Sequence, residues 1–318
     1  MAVFAGLTLV TSSEIPWTYR LPLSLAAGLT LVRFFVLYHD HEHGTILSKS
    51  RLAKMIMFGV GVVLLNPPSV WRRSHGHHHV NNSRGFGKNV GSFPLLTVDA
   101  FSKASRWEQW CYAAQRHPLA IACGYFTVFC VGMCVAPLLA NPRRHLDAAF
   151  SVLCHGLLLV LIGSNDWDDL WLVAVIPCAL ASAVGAYLFY AQHNFPGVAL
   201  HGSGEWDHVS AALESSSYIP MNPVMCWFTG NIGYHHVHHL NAHIPFYRLP
   251  EAMAAIAELQ SPVETTLCVR DIRDCLCLKL WDSVHQQLVP WPPRDPQVVV
   301  SGRKPTRGRQ PVLTERAA

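Results

Sequence analysis

Histidines in this chain are spaced so that several share one face of a helix, and sets of imidazoles of this kind bind metal ions. The segment H-D-H-E-H-G at 39–44 has two histidines four residues apart, whereas W-R-R-S-H-G-H-H-H-V-N-N at 71–82 and G-Y-H-H-V-H-H-L at 233–240 each contain H-x-x-H-H. A further histidine stands in H-N-F-P-G, at the end of the last long apolar stretch. The candidate metal ligands are His39, His43, His75, His78, His79, His193, His235, His238 and His239.

The number of these histidines indicates two metal ions rather than one. The chain has 19 histidines in 318 residues, and packing so many neutral imidazoles beside apolar segments is costly without a cation to share. Imidazole nitrogen suits zinc, copper, iron and nickel. The 10 cysteines contain no C-x-x-C, so thiolate ligation is not indicated.

The composition predicts a membrane protein around these clusters. Hydrophobic residues make up 51% of the chain and charged residues 14%, against about 25% charged in a typical soluble domain. The mean hydropathy is +0.22, and the 10 tryptophans suit a protein with two membrane interfaces. The net charge of +4 includes no basic stripe with interleaved aromatics, so a nucleic-acid partner is not expected.

We therefore predict an all-α, multi-pass membrane fold whose cytoplasmic helical cap carries the di-metal site. The membrane domain covers 1–289, with spans near 21–38, 148–163 and 170–191. The stretches 52–65 and 119–139 have basic residues at both ends, which predicts interfacial or re-entrant segments. Residues 192–289 form the cap, and the Pro- and Arg-rich segment 290–318 is predicted to be a disordered basic tail.

This topology predicts that all the histidine clusters meet on one side of the membrane. The first two clusters and His193 each follow an apolar stretch, and the cluster at 233–240 lies in the cap. The acidic loop N-D-W-D-D between the last two spans carries no positive charge, so we expect it on the outer side of the membrane. Three full crossings between 119 and 191 would separate the cluster at 71–82 from His193. Convergence of the histidines therefore tests the topology.

Longer motifs resemble a known family. W-R-x-x-H-x-x-H-H-x-x-N at 71–82 resembles the second histidine box of the integral-membrane fatty acid desaturases. E-W-D at 205–207, S-S-S-Y at 215–218 and W-F-T-G-N-I-G-Y-H-H-V-H-H-L-N at 227–241 resemble the omega-6 (Δ12-type) acyl-lipid branch, especially its bacterial members, and I-P-F-Y-R-L-P at 244–250 continues the match. The resemblance runs from about residue 21 to 289.

The resemblance implies a di-iron enzyme. By position, the three boxes supply eight ligands, and His193 takes the place of a histidine in the family's H-Q-F-E segment, with Pro196 where that segment has its acid. It implies two iron ions, molecular oxygen as co-substrate, and electrons from an external ferredoxin or cytochrome b5-type donor. The implied substrate is a long-chain acyl lipid, acyl-CoA or acyl carrier protein, and the implied location is the bacterial inner membrane with the active site on its cytoplasmic face.

Neighbouring polar and aromatic residues have candidate roles around the imidazoles. Carboxylates or amides that accept an imidazole N–H orient a ligand, and the candidates are Asp40, Asp207, Glu42, Asn82 and Asn231. Asp207 could instead cap a helix. Interfacial anchoring is the simpler role for Trp71 and Trp206, with lining of an acyl tunnel as the alternative, and Arg72 and Arg73 suit lipid headgroups or an acidic electron carrier.

Two other functions are compatible with the same residues. A hydroxylase, ketolase or acetylenase would use the same di-iron chemistry with a different outcome. A membrane metal transporter or metal store is the alternative from another class, but transporters place ligands near the bilayer midplane, whereas these clusters lie just beyond apolar stretches. No dinucleotide, flavin, haem or iron–sulfur motif is present, so a redox enzyme of this kind needs a separate electron donor.

Overall fold

The computed structural model describes residues 2–84, 93–201 and 206–292. Glu205 of the E-W-D motif and nearly all of the tail predicted at 290–318 lie outside the described residues. The α-helices run over Ala2–Thr11, Trp17–Glu42, Arg51–Val63, Pro68–Val80, Val98–Lys103, Arg106–Gln115, Pro118–Ala122, Ala136–Ala140, Leu146–Asn165, Trp167–Asp169, Ile176–Ala191, His208–Glu214, Pro223–Thr229, His235–Leu240, Leu249–Ala255 and Val269–Cys277.

Shorter elements complete the chain. Tyr125–Val135 and Leu170–Val175 are π-helical and continue into the α-helices that follow them, and single 3-10 turns cover Phe246–Arg248 and Ala257–Leu259. Leu280–Asp282 pairs antiparallel with Gln287–Val289. The predicted helical, multi-pass class is confirmed, and this small hairpin in the cap is its one departure within the described residues.

Three helices are long and apolar enough to cross a membrane: Trp17–Glu42, Leu146–Asn165 and Trp167–Ala191. They contain the three stretches predicted as spans. Tyr125–Ala140 is also apolar but shorter.

A sharp bend separates two helices that follow the first span. Arg51–Val63 and Pro68–Val80 meet at 88°, which fits a broken span or a re-entrant segment. Pro67 precedes the second helix, and proline cannot continue the backbone hydrogen bonding of the first. The bend directs the second helix, which carries the second histidine box, across the end of the first span.

Small residues let the spans approach closely. A Cβ on Gly28 would lie 3.0 Å from the carbonyl oxygen of Pro177, and one on Gly124 would lie 3.0 Å from that of Ser182. Such contacts are typical of helix packing in membranes, where close van der Waals contact replaces the hydrophobic effect. The packing brings the end of Trp17–Glu42, with its histidines, beside the end of Ile176–Ala191, which leads into His193.

Candidate metal centre

All nine predicted ligand histidines converge, and they do so in two groups whose candidate ligand atoms lie within 4.8 Å of one another. We call the larger the five-histidine group; it contains His39, His43, His75, His79 and His238. We call the smaller the four-histidine group; it contains His78, His193, His235 and His239. The fold therefore places every box on one side of the protein, as the re-entrant topology requires.

Helix periodicity explains how two boxes serve both groups. On Pro68–Val80, which we call the second-box helix, His75 and His79 are one turn apart and face the five-histidine group, while His78 faces the other. The third-box helix, His235–Leu240, reverses this division. Its His235 and His239 enter the four-histidine group, and its single His238 enters the five-histidine group.

The four-histidine group forms a closed ring of nitrogen contacts. The Nε2 of His193 lies 2.9 Å from that of His235 and 3.0 Å from that of His78, and His239 closes the ring at 3.1 and 3.2 Å. A planar ring of this size has its centre roughly 2.1 Å from each corner, which matches a metal–imidazole bond. In the five-histidine group, His79 Nε2 lies 3.0 Å from His75 Nε2 and 3.1 Å from His238 Nε2.

In two of the histidines, Nδ1 carries the ring proton and donates it to an oxygen outside the two histidine groups. His193 donates its Nδ1–H to the carbonyl oxygen of Ser215 at 3.0 Å, and His39 donates its Nδ1–H to Asp40 Oδ1 at 3.0 Å. A neutral imidazole with a proton on Nδ1 has only a lone pair on Nε2. The neighbouring ring nitrogens lie 3.0 Å away, so lone pairs from several imidazoles can be directed at one metal ion.

Burial keeps the cap histidines in the ligand form. It lowers the pKa of His193 from 6.5 to about 4, although the hydrogen bond to Ser215 opposes the shift. Burial followed by the neighbouring imidazoles also lowers the pKa of His235, His238 and His239 well below the ordinary value. Neutral imidazole is the form that binds metals.

Asp40 is placed to orient a ligand. It is 2% exposed, and its Oδ1 accepts from His39 while its Oδ2 accepts the backbone N–H of Phe246 at 2.7 Å. The structure gives Asp207 the alternative role, because its Oδ1 accepts the N–H groups of Val209 and Ser210 as a helix cap.

The remaining polar candidates bond elsewhere. Glu42 pairs with Arg72, with 2.5 Å between Oε2 and Nε, so this arginine is held by a carboxylate. The side-chain amide of Asn82 donates to Ala211 O and Ser216 Oγ, and that of Asn231 donates to Phe246 O. The histidines between the ligands, His41 and His236, contact the backbone oxygens of Ile46 and Leu259, respectively, which is a structural role.

Trp71 has a different place from the interfacial one expected for it. It is 5% exposed, and its ring stacks on His75 with 4.3 Å between centroids. It also meets His39 and His43 edge-on, at 5.4 and 5.3 Å. The indole therefore closes one side of the five-histidine group against water. Trp206 instead donates its Nε1–H to the carbonyl oxygen of Asn82.

A cavity with one apolar wall reaches the four-histidine group. Two of that group's ligand candidates, His78 and His193, line it. Its apolar wall consists of Phe93, Leu95, Phe189, Val198 and Leu200, and its polar lining includes Asn81, Asn82, Arg116 and Asn194. The ring of Phe189 lies 5.1 Å from His78 and 5.6 Å from His193 between centroids. Sequence reasoning missed Phe189, which stands on the last turn of Ile176–Ala191, four residues before His193. It also missed Ser215, which acts through its backbone and leaves no side-chain signal.

Together these features define an integral membrane protein with two histidine groups at the ends of its helices that could hold metal ions. The comparisons with known proteins agree. The family model for fatty acid desaturase matches residues 15–266, so the chain belongs to the fatty acid desaturase family and is a membrane-bound oxidoreductase.

The relatives fit the predicted branch. The chain is 30% identical over 300 residues to a fatty acid desaturase of Bacillus subtilis, which covers 90% of this chain and 82% of the relative. It is 24% identical over 263 residues to an sn-1 oleoyl-lipid 12-desaturase of a Picosynechococcus strain, covering 76% and 70% of the two chains. A chloroplastic omega-6 fatty acid desaturase of spinach is 24% identical over 261 residues, covering 77% and 55%. The prediction of a desaturase near the omega-6 branch is confirmed.

Proposed function

We propose that the nine histidines hold two iron ions and that the protein uses dioxygen to introduce a double bond into a long acyl chain of a lipid. The observation that carries this proposal is the pair of converging imidazole groups in a chain of the desaturase family. Both groups lack cysteine and carboxylate ligands within the described residues, so they are uniform imidazole sites.

Iron is proposed because the substrate offers no handle for side-chain chemistry. An internal methylene has no acidic proton, leaving group or carbonyl, so a cofactor must perform the difficult step. When bound, a pair of iron ions would supply the redox chemistry by which dioxygen removes two hydrogens and leaves as water. Zinc suits the same ligands but has no redox chemistry.

The protein's own residues would orient the ligands and exclude water. Asp40 and the carbonyl oxygen of Ser215 hold His39 and His193 with their Nε2 lone pairs inward. Trp71 covers the five-histidine group. The cavity beside Phe189 has a volume of about 60 Å³, and its apolar wall would contact a short methylene segment of the acyl chain next to the four-histidine group.

The proposed location is supported by the basic residues that flank two helices, and the proposed electron donor by the lack of a redox-cofactor motif in the sequence. The basic residues flanking Arg51–Val63 and Pro68–Val80 support a cytoplasmic position for the metal centre under the positive-inside rule. We propose the bacterial inner membrane for this reason. Electrons would come from a ferredoxin or cytochrome b5-type carrier, because the sequence has no cofactor motif for storing them. The relatives' names support an acyl-lipid substrate over an acyl thioester.

The test uses the full chain in lipid nanodiscs, loaded with ferrous iron. A reduced ferredoxin, oxygen and isotopically labelled oleoyl and palmitoyl glycerolipids would be added, and products would be read by mass spectrometry. We expect a product two mass units lighter, formed only with oxygen and reductant. A hydroxylated product without alkene would move the protein to the hydroxylase function. Zinc in place of iron, with no oxidation of any acyl lipid or thioester, would favour a metal transporter or store.

A further inference from the structure

The bend before the second-box helix leaves backbone carbonyls without helical partners in the middle of the fold. Leu65 and Asn66 are 3% and 1% exposed, and Leu65 has a positive φ of 52°. Irregular backbone at membrane depth persists only where other parts of the protein satisfy its polar groups. The side chains that bond to these carbonyls can therefore fix the position at which the second-box helix begins.

Three side chains from three different segments satisfy these carbonyls. His155 Nδ1 donates to Val63 O at 2.8 Å, and Tyr38 Oη donates to Asn66 O at 2.8 Å. Cys134 Sγ lies 3.3 Å from Leu65 O. The tautomer of His155 is consistent with this bond, because its Nε2 accepts the hydroxyl of Tyr125.

The same span that supplies His155 also holds the other side of the bend. Asp147 Oδ2 accepts the backbone N–H of Ser69 at 2.8 Å, and its Oδ1 accepts the Ser69 hydroxyl at 2.5 Å. That N–H belongs to the first turn of the second-box helix, where N–H groups lack helical partners and the helix dipole favours a negative charge.

Helix geometry makes this double contact possible. Asp147, Ser151 and His155 stand at i, i+4 and i+8 on Leu146–Asn165, so they form one polar stripe on an otherwise apolar span. Eight residues cover about 12 Å of helix, and from the two ends of this stripe His155 bonds to the carbonyl end of Arg51–Val63 and Asp147 to the first turn of Pro68–Val80. The D-x-x-x-S-x-x-x-H pattern inside an apolar stretch is the sequence signal for this role.

We propose that His155 and Asp147 are positioning residues, which set the place of the second-box helix and through it the geometry of both histidine groups. This helix supplies His75 and His79 to one group and His78 to the other. A shift of its start therefore moves ligands in both groups at once, although the bend itself contacts neither. The inference rests on the proposed metal centre.

The experiment measures cobalt(II) binding and its visible absorption spectrum in the full chain, with thermal unfolding recorded in parallel. His155→Leu removes the donor to Val63 O, and His155→Asn returns an N–H donor near the position of Nδ1.

Arg20→Met is the matched control, because it removes the buried Arg20–Asp169 contact at the opposite end of the first span. Asp147→Ala tests the second contact independently, and Tyr125→Phe is a milder variant should His155→Leu not fold.

We expect His155→Leu and Asp147→Ala to weaken cobalt binding in both groups by roughly 10- to 100-fold, the range found for residues that orient metal ligands, and to change the spectrum. His155→Asn should restore both, and Arg20→Met should lower the unfolding temperature with an unchanged spectrum. Wild-type stoichiometry and spectrum in His155→Leu and Asp147→Ala, with only reduced stability, would overturn the positioning role while leaving the metal centre intact. A wild-type chain that binds no metal would instead overturn the proposed function and this inference with it.

Discussion

The two histidine groups share two of their helices but differ in what surrounds them. The five-histidine group lies against the first span, where Trp71 stacks on one imidazole and Asp40 fixes another. The four-histidine group takes His193 from the start of the cap and faces the cavity beside Phe189. The third-box helix of the cap supplies ligands to both groups, so the difference lies in their surroundings: an indole and a carboxylate beside one group, and a cavity beside the other.

This difference suggests a division of labour within one site. Burial does not separate the groups, because His43 and His79 are half-buried in one and His193 in the other. What differs is the cover: an indole lies over the five-histidine group and keeps water from that side, whereas the four-histidine group borders a cavity in which a hydrocarbon chain can meet it. The shared second-box and third-box helices keep the groups adjacent, so that a ligand bound at one is close to the other.

Removing one ligand from each group should have the largest effect and should test whether the groups load separately. His238→Ala takes a ligand from the five-histidine group, and His78→Ala takes one from the four-histidine group. We expect product formation to fall at least about 100-fold in both, because even partners of metal ligands cost 10- to 100-fold when lost. Iron per chain, measured by mass spectrometry, should fall toward one ion.

The control is His285→Ala, which changes an exposed histidine outside the two groups. Full iron and full activity in either ligand variant would show that the assignment is wrong.

Asp40→Asn should weaken the five-histidine group specifically. The carboxylate accepts from both His39 and Phe246, and an amide has only one acceptor oxygen, so one buried donor loses its partner. We expect iron affinity to fall roughly 10- to 100-fold, as measured by competition with a chelator. Asp207→Asn keeps a good helix cap and should bind iron as the wild type does. Equal losses in the two variants would remove the distinction between an orienting carboxylate and a capping one.

Narrowing the cavity should affect only the four-histidine side. Leu200→Trp places a larger side chain in the lining, and overfilling a packed site costs about 1–3 kcal/mol. We expect acyl turnover to fall roughly tenfold with iron content unchanged, since 1.4 kcal/mol is a factor of ten. Leu267→Trp, at a position in the cap that is 38% exposed, should leave turnover unaltered. A loss of iron in Leu200→Trp would mean that this wall supports the metal rather than the substrate.

An effect on stability, with no change at the histidine groups, is expected from a buried charge in the cap that completes the four-histidine side. Lys279 is 4% exposed, and burial, followed by the charge of Arg116, lowers its pKa from 10.5 to about 8. The unfolded chain then binds more protons than the folded one between pH 8 and 10.5, so stability should rise with pH across that window. The gain is limited to roughly 3 kcal/mol, at about 1.4 kcal/mol per pKa unit.

Thermal unfolding of wild type and Lys279→Met at several pH values would measure this contribution as the difference between the two curves. The difference should shrink as pH rises through the window, because the neutral amine no longer carries a buried charge. A constant difference at every pH would show that the ammonium is not destabilising in the cap.

Several features were readable from the sequence because they depend on local periodicity. The H-x-x-H-H spacing puts three imidazoles toward one side of a helix, whatever the rest of the chain does. The three long helices contain the apolar stretches 21–38, 148–163 and 170–191. Asp40 follows directly after His39, and its position next to a ligand suggested its contact. The position of Trp71 could not be predicted from the sequence. A tryptophan beside arginines fits an interfacial anchor as well as a buried contact with the histidines, and only the packing decides between them.

The amino-acid sequence by itself determined that this protein lies in a membrane, that its histidines are arranged in sets with helical spacing and that its family is the fatty acid desaturases. Only the tertiary structure decided how the nine imidazoles divide into five and four, and that Asp207 caps a helix while Asp147 and His155 hold the bend. The physical reason is that helical spacing fixes neighbours within one turn. Contacts between residues about 80 positions apart depend on crossing angles and on which buried polar groups need a partner, and both arise only when the helices pack.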